Sequence, residues 1–270
     1  MTEAEQIERA REYLAKVVDE EVKTDSNLRH LLRTHMSLII SESMEHKGLG
    51  KRFRFSEDES LNKKVDEIIS RLREALHSDI EEISLIVKRI AEEKEDSKVD
   101  DAIVIAFLLS RIKGNTLKER INLYTGQLKS EIESFISAGI AAGLSKDEIL
   151  SQWLINVKSP YAAKIMRDAM SDTGFTATRI QSKGIHYGKG RYTSSFDNLK
   201  RLLITTIGQS YLHASQTMAA TNGAIGWYSV RGSLYPCSVC DGEVGITHQI
   251  SEQFIGYHPN CCCIQVFTYR

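Results

Sequence analysis

The sequence has little proline and few aromatic residues, and it has no cysteine before position 237. Three prolines and an aromatic content of 7% in 270 residues argue against a β-sandwich and against a proline-rich linker protein. The longest apolar run, AIVIAFLL at 102–109, is far shorter than the roughly 20 apolar residues that cross a bilayer. What remains is ordinary globular composition, 41% hydrophobic and 26% charged, for which long helices are the expected structure.

The first residues, MTEAEQIERAREYL, are charged and contain no apolar leader segment. We therefore expect a soluble protein that is made in a cytoplasm, with no membrane partner. Disulfides are rare in that compartment, so the cysteines are expected to serve another purpose.

Helical periodicity dominates the first 170 residues. Stretches 3–22 and 27–46 are predicted to form two helices, and Ser56 with Glu59 has the spacing of a capping box that opens a third, long helix. The apolar run 102–109 is predicted to be a buried helix, with a buried strand as the alternative.

Further start signals divide the region between residues 113 and 172. Thr116 with Glu119 and Ser145 with Glu148 are two more capping boxes. The pair Ser159-Pro160 is predicted to be the N-cap and first residue of another helix.

The composition changes near residue 171, where glycine, hydroxyl-bearing residues, lysine and arginine become frequent. A final helix is predicted over about 195–221, followed by short strands at AIGWYSV and IQVFTY. The fold class is thus mainly α, a multi-helix body with a small C-terminal α+β module. The predicted regions are a helical N-terminal region (1–112), a second helical region (113–172), a Gly-rich basic connector (173–194) and the C-terminal module (195–270).

Charge is unevenly distributed along the chain. Residues 1–150 carry 24 basic and 30 acidic side chains, whereas residues 151–236 carry 10 basic and 3 acidic ones. A basic segment of this kind can contact nucleic-acid phosphates, although a solvated surface explains it equally well. The candidate contacts are Lys183, Lys189, Arg191, Lys200 and Arg201.

All five cysteines lie in the last 34 residues, in a pattern typical of a metal site. Cys237 and Cys240 are three positions apart, and His258 and Cys261 repeat that spacing after 17 intervening residues. Two turns that each offer two ligands can enclose a tetrahedral Zn²⁺ ion. The sequence therefore predicts a structural zinc site on which the fold of the C-terminal module depends.

Several ligand sets satisfy this spacing. Cys237, Cys240, His258 and Cys261 form two symmetric pairs, and Cys263 could replace either His258 or Cys261. Cys262 is the least suitable, since on an extended strand it points with Ile264 and Val266 to the opposite face from Cys263.

Other chemistries fit the same residues less well. The thiols could simply pack as small apolar groups, and a redox CxxC lacks the surrounding βαβ pattern. PCSVC also matches half of a zinc deaminase signature, but His213-Ala-Ser215 has serine where that signature needs a glutamate. A cysteine nucleophile paired with His258 is a further alternative, and GIHYGKG lacks the spacing of a phosphate loop.

The C-terminal part resembles the phage head morphogenesis family, the Mu F-like and SPP1-like minor capsid proteins. The resemblance covers about 195–270. It consists of a helix with polar Thr-Thr and Ser-Gln positions, a strand with Trp227, CxxC followed by glycine, and His-Pro-x-Cys-x-Cys. Cys262 departs from the pattern, because Arg is usual there. The matching motif residues are Cys237, Cys240, Gly242, His258, Pro259, Cys261 and Cys263.

The resemblance implies a minor structural protein of a phage virion. Such proteins lie inside the head near the portal and act in assembly or in DNA packaging and delivery. Portal or capsid proteins, and packaged DNA, are then the expected partners, and no enzyme activity is expected. The alternatives are a zinc-stabilised nucleic-acid-binding protein outside a virion and a zinc-dependent hydrolase or deaminase.

Overall fold

The computed structural model describes residues 2–46, 53–170 and 192–270. The prediction of a mainly α protein with a small C-terminal α+β part is confirmed. Within the described residues no helix is both long enough and apolar enough to cross a membrane. Along the chain the elements are α1 (Glu3–Glu45), α2 (Glu59–Glu95), α3 (Asp101–Leu109), α4 (Leu117–Ala141), α5 (Lys146–Ile155), α6 (Lys164–Met170), α7 (Ser195–Thr221), β1 (Gly226–Val230), α8 (Ser238–Asp241), β2 (His248–Gln249) and β3 (Ile264–Thr268).

The first helix is continuous, so the prediction of two helices over 3–22 and 27–46 was wrong. The polar stretch between them, KTDS at 23–26, lies inside α1. Thr24 is buried in this stretch, and its hydroxyl is satisfied within the helix because it donates to the Glu20 carbonyl at 2.7 Å.

Helix α2 starts later than its predicted capping box. Residues Phe55–Glu57, including Ser56, form a 3-10 turn, and the cap is Asp58, whose Oδ1 accepts from the Leu61 amide at 2.9 Å. Carboxylates cap helices as well as hydroxyls do, so the neighbouring Asp58 displaces Ser56 as the cap.

The other start signals had mixed outcomes. The capping box of Ser145 with Glu148 is confirmed, and α4 begins directly after Thr116. Ser159-Pro160 opens only a 3-10 turn, and α6 begins four residues later. The apolar run at 102–109 is helical, so the strand alternative was wrong, but α3 is buried on one side only, through Val104, Phe107 and Leu108.

The described residues form two compact units, each assembled from separate stretches of the chain. Unit 1 comprises 1–26, 78–117 and 201–270, and unit 2 comprises 27–77 and 118–200. The division into four contiguous regions that we predicted from the sequence remains a prediction. The helical spacing of apolar residues in α2 and α7 predicts one buried stripe on each helix, and both stripes are buried. They comprise Leu61, Val65, Ile68, Ile69, Leu72, Leu76, Ile80 and Ile83 in α2, and Leu199, Leu203, Ile207, Tyr211, Ala214 and Met218 in α7.

Unit 2 contains a fully buried carboxylate. Glu131 of α4 accepts hydrogen bonds from the Trp153 indole and from the Ser195 backbone amide, both at 3.0 Å. The second bond satisfies a free amide at the start of α7. Burial raises the pKa of Glu131 to about 7.

Unit 1 ends in a three-stranded antiparallel sheet with the order β2-β1-β3. The predicted strands at AIGWYSV and IQVFTY correspond to β1 and β3, and the two-residue β2 was not predicted. Val230 at the end of β1 pairs with Ile264 at the start of β3. This register brings the two cysteine-containing loops to the same end of the sheet.

Candidate metal centre

The sheet register brings the backbones of the two cysteine-containing loops into contact. Gly232 lies two residues beyond the end of β1, and a Cβ atom placed there would lie 1.8 Å from the Cys262 carbonyl oxygen. Only glycine fits such a close approach. The chain therefore enters the first loop directly beside the place where it leaves the second.

The first loop is organised by Arg231 and by the short helix α8. The Arg231 guanidinium donates to the backbone carbonyls of Ser233, Tyr235 and Cys237, and it pairs with the Asp241 carboxylate at 2.9 Å. Cys237 then precedes α8, and Cys240 lies within it, so one helical turn brings both thiols to one side.

The second loop is fastened to α7 by a buried amide. Gln216 donates to the carbonyls of Ile250 and Glu252 at 2.8 and 2.7 Å, and it accepts from the Phe254 amide and the Gln265 side chain at 2.8 and 3.1 Å. All four hydrogen-bonding positions of this amide are thus satisfied.

Aromatic contacts fix the same loop against β1. Trp227 stacks on His248 and lies 4.9 Å from Phe254, which in turn contacts Tyr257. The Tyr257 hydroxyl is 2.6 Å from that of Ser229. His258 follows this anchored tyrosine directly.

The five predicted ligands converge on one cluster. His258 Nε2 lies 3.2 Å from the Cys237 sulfur and 3.1 Å from the Cys240 sulfur, and the Cys240 and Cys261 sulfurs are 3.8 Å apart. Two sets of donor atoms lie within 4.8 Å of one another, Cys237–Cys240–His258 and Cys240–Cys261–Cys263, and Cys240 belongs to both. This cluster could hold a metal ion.

Two of the thiols are placed to favour the thiolate, the form that binds metals. Hydrogen bonding by the backbone amide of Cys240, with a smaller contribution from that of Val239, lowers the pKa of Cys237. Hydrogen bonds from the Cys263 side chain and from the Cys263 and Tyr257 amides lower the pKa of Cys261 to about 5.

The other two thiols favour the neutral form. Burial raises the pKa of Cys240 to about 12. Its hydrogen bond to Cys261, together with burial, raises the pKa of Cys263. Each loop thus pairs a thiol of lowered pKa with one of raised pKa, Cys237 with Cys240 and Cys261 with Cys263.

The tautomer of His258 suits a ligand that binds through Nε2. Nδ1 lies 2.8 Å from the Pro259 carbonyl, to which it donates when protonated. An outer hydrogen bond of this kind is usual for histidine ligands, because it orients the ring and leaves the other nitrogen free. The bond to Pro259 is also the main cause of the raised pKa of His258.

Backbone geometry in the second loop is specialised around Cys261. Gly256 has a φ of +87°, and a Cβ atom there would lie 3.0 Å from the Cys261 Cβ. Asn260 also has a positive φ, 57°, and its side-chain Oδ1 accepts a hydrogen bond from the Thr205 hydroxyl at 3.2 Å. These two residues turn the chain so that Cys261 faces Cys240.

The remaining predicted residues lie outside the cluster. Cys262 belongs to neither donor set, and its thiol donates weakly to the Asn260 carbonyl at 3.6 Å. Lys183, Lys189 and Arg191 lie outside the described residues, and Lys200 and Arg201 are half-buried in α7, each with an interaction partner. Nucleic-acid contact by these five residues stays a prediction.

The residues named in the deaminase alternative have other roles. His213 stacks on Phe107 at 4.7 Å, and its Nδ1 lies 3.0 Å from the Gln253 amide nitrogen. Ser215 is buried and bonds to Lys94 and Glu95. Neither donor set includes His213.

Sequence reasoning missed the residues that support the cluster. Gln216 bonds to residues 34 to 49 positions away, which no local motif reveals. Arg231 bonds to residues only 2 to 10 positions away, but no motif marks it. Gly256 could have been suspected from its position two residues before His258. Glu21 of α1 was also missed. Burial raises the pKa of Cys262, with a smaller contribution from Glu21, and burial raises the pKa of Glu21 itself to about 7.

Comparison with known proteins adds no relative: no protein-family model matches the sequence, and no curated protein or solved structure matches it either.

Proposed function

We propose that the cluster binds one Zn²⁺ ion that stabilises the C-terminal part of unit 1. Thiolate and imidazole are the donors that zinc prefers in structural sites. The sulfurs of Cys240 and Cys261 are 3.8 Å apart. Two thiolates in tetrahedral coordination at about 2.3 Å from zinc would be about 3.8 Å apart, so this pair already has the required separation.

The ligand set that we favour is Cys237, Cys240, His258 and Cys261. It joins the two ligands of the first loop to two of the second, and Cys240 touches both His258 and Cys261. Cys263 is the alternative to Cys261, since it shares the same donor set with Cys240.

Four protein ligands leave no position for a reacting water, so the proposed ion is structural. When bound, it would supply a cross-link between the two loops, in addition to the sheet and to the hydrogen bond from the Tyr257 hydroxyl to the Glu243 carbonyl. The chain's own residues pre-position that cross-link, Arg231 on the first loop and Gln216 on the second. We therefore propose no enzyme activity for this site.

For the whole chain we propose a minor structural protein of a phage virion, acting near the portal in head assembly or DNA delivery. The observation that carries this proposal is the convergence of the five donors of the two C-terminal motifs on which the resemblance rests. Trp227, also part of that resemblance, packs against the same loop.

Elemental analysis of the purified full chain tests the zinc proposal. We expect one zinc per chain, lost when Cys237→Ser and Cys240→Ser are combined. Cys262→Ser is the matched control and should retain the ion. A wild-type protein that contains no metal and takes none up would exclude the site.

Mass spectrometry of purified virions tests the proposed location. We expect peptides of this chain in mature particles, at few copies relative to the major capsid protein. Absence from particles that were assembled in cells making the chain would refute the virion proposal and leave the zinc proposal standing.

A further inference from the structure

A surface cavity of about 320 Å³ lies within unit 2, among residues of α1, α5 and the start of α7. Its apolar walls consist of buried and half-buried side chains, which are Leu32, Trp153, Leu154, Val157 and Phe196. Three exposed basic side chains of α1 complete the lining, and we call them the basic rim: Arg29, His30 and Arg33. Ligand sites in proteins are typically concave and mostly apolar, with a few polar groups of this kind.

Buried hydrogen bonds hold the walls of the cavity in place. The Trp153 indole donates to Glu131 of α4, which also accepts from the Ser195 amide at the start of α7. The Ser194 hydroxyl donates to the Val157 carbonyl at 2.6 Å. These bonds join α4, α5 and α7 to one another. A ligand would therefore meet an ordered surface, which lowers the entropic cost of binding.

The charge of the basic rim is not neutralised within the cavity. None of the described residues that line it is acidic. Neither Arg33 nor His30 has a hydrogen bond or an ion pair with another described residue. Arg29 is engaged, since its guanidinium lies 4.6 Å from the centroid of the Phe196 ring and it has a further interaction. Arg29 and Arg33 are also one helical turn apart, where like charges repel, so an anion beside Arg33 would be favourable.

The polar groups of the lining indicate which part of a ligand can be buried. Among the described lining residues, the basic rim apart, the one polar side-chain group is the Trp153 indole, and it already donates to Glu131. A ligand body with hydrogen-bonding edges, such as a nucleobase or a sugar, would lose its bonds to water without replacement. A hydrocarbon or aromatic body loses none. A carboxylate at its end matches the planar, two-pronged guanidinium of Arg33.

We propose that this cavity binds a small organic carboxylate, with its apolar body against Trp153 and Phe196 and its carboxylate on Arg33. An apolar cavity of about 150 Å³ accommodates benzene, so the volume of about 320 Å³ suits a body of about two rings. His30, three positions before Arg33 on the same helix face, offers a second donor through its ring. The proposal is independent of the zinc site and of the virion location, because every lining residue belongs to unit 2.

Calorimetric titration of the full, zinc-loaded chain tests the proposal, with naphthoate as the probe. We expect one saturable site per chain with a Kd below about 1 mM, and binding that weakens with added salt. Naphthalenemethanol has the same rings without the charge and should bind at least about fivefold more weakly. Acetyl-alanyl-tryptophan, which carries its carboxylate on a peptide, should also bind more weakly than naphthoate.

Variants assign the binding to this cavity. Arg33→Gln should raise the Kd for naphthoate at least about fivefold. The matched control is Arg71→Gln, which changes an exposed arginine of α2 in unit 2 outside the cavity and should bind as the wild type does. Leu154→Glu adds a carboxylate to the half-buried wall and should abolish measurable binding. Circular dichroism verifies that each variant is folded, and Arg33→Gln decides alone if Leu154→Glu does not fold.

Several outcomes would overturn the proposal. A wild-type Kd above about 1 mM, equal affinity for the alcohol, or an unchanged Kd in Arg33→Gln would each exclude a carboxylate site in this cavity. An equal loss in Arg71→Gln would show a general effect of surface charge. Tighter binding of acetyl-alanyl-tryptophan than of naphthoate would assign the cavity to the end of a peptide chain instead.

Discussion

The substitution Gln216→Leu should weaken metal binding although Gln216 is not a ligand. It removes an amide that serves four partners: the carbonyls of Ile250 and Glu252, the Phe254 amide and the Gln265 side chain. The Phe254 amide and Gln265 are buried, so their lost bonds cannot all be replaced by water. At about 1 kcal/mol for each lost bond, with partial rescue by water, we expect a loss of about 3 kcal/mol of folding free energy in this loop.

That loss should appear in the metal affinity. If the metal-free loop is largely unfolded, folding and binding form one equilibrium, and the destabilisation passes fully into the apparent Kd. A loss of about 3 kcal/mol corresponds to a Kd about 150-fold higher. Competition with a chromophoric chelator measures this directly, with zinc as the titrant and the full chain as the receptor.

The control is Gln253→Leu, which removes an exposed amide from the same loop whose single side-chain contact is with His213. This variant should bind zinc with nearly the wild-type Kd. A Gln216→Leu variant whose Kd stays within about threefold of the wild type would refute the reasoning. It would mean that the ligands are arranged without help from α7, or that the ion is held elsewhere.

Two predictions concern stability. Because burial raises the pKa of Glu131 to about 7, its contribution to the free energy of unfolding is full at acid pH and is lost as pH rises through 7. The pKa of Glu21 is also raised to about 7 and adds a loss of the same sign. Between pH 5.5 and 8.5 the loss of unfolding free energy in Glu131→Gln should therefore be about 2 kcal/mol smaller than in the wild type, whereas the exposed control Glu67→Gln should lose as much as the wild type. Gly232→Ala should lower the free energy of unfolding by about 1–3 kcal/mol, since its Cβ would lie 1.8 Å from the Cys262 carbonyl oxygen. Gly126→Ala in α4 has open space around the added Cβ and should be neutral or mildly stabilising. Equal unfolding free energies for these two variants would contradict the steric argument, and a wild type whose stability does not change with pH would contradict the argument for Glu131.

Local sequence patterns predicted the bounds of helix α7 and the convergence of the cysteines, because both depend on neighbouring residues along the chain. Helix α7 spans the predicted 195–221, because its apolar stripe and the terminating Asn222-Gly223 are local signals. The spacing of the cysteines likewise predicted which residues would converge, since a turn of one helix and a tight loop each have a fixed reach. Cys262, which the two-residue period of an extended strand separates from Cys263, belongs to neither donor set.

Local patterns failed where several signals compete or where the partner is remote in sequence. The polar stretch near residue 25 of α1 looked like a helix end, but the buried face of the helix continues across it through Val17, Thr24 and Leu28. Ser56 and Asp58 both offer caps, and the one used is Asp58, whose Oδ1 accepts from the Leu61 amide. Gln216 contacts residues 34 to 49 positions away, which no periodicity encodes.

The arrangement of the thiols explains how four of them can stand together in a folded chain. Four neighbouring thiolates would repel one another, and four buried thiols would bind metal slowly because each must lose a proton. Here hydrogen bonding by the Cys240 amide lowers the pKa of Cys237, and hydrogen bonds led by the Cys263 side chain lower the pKa of Cys261. Burial raises the pKa of Cys240, and the hydrogen bond to Cys261 together with burial raises that of Cys263. One thiol of each loop therefore loses its proton more readily than the buried Cys240. A cation bound between the two loops would then lower the cost of ionising Cys240, which touches donors of both. The central position of Cys240 makes it the residue through which the two halves of the site are coupled.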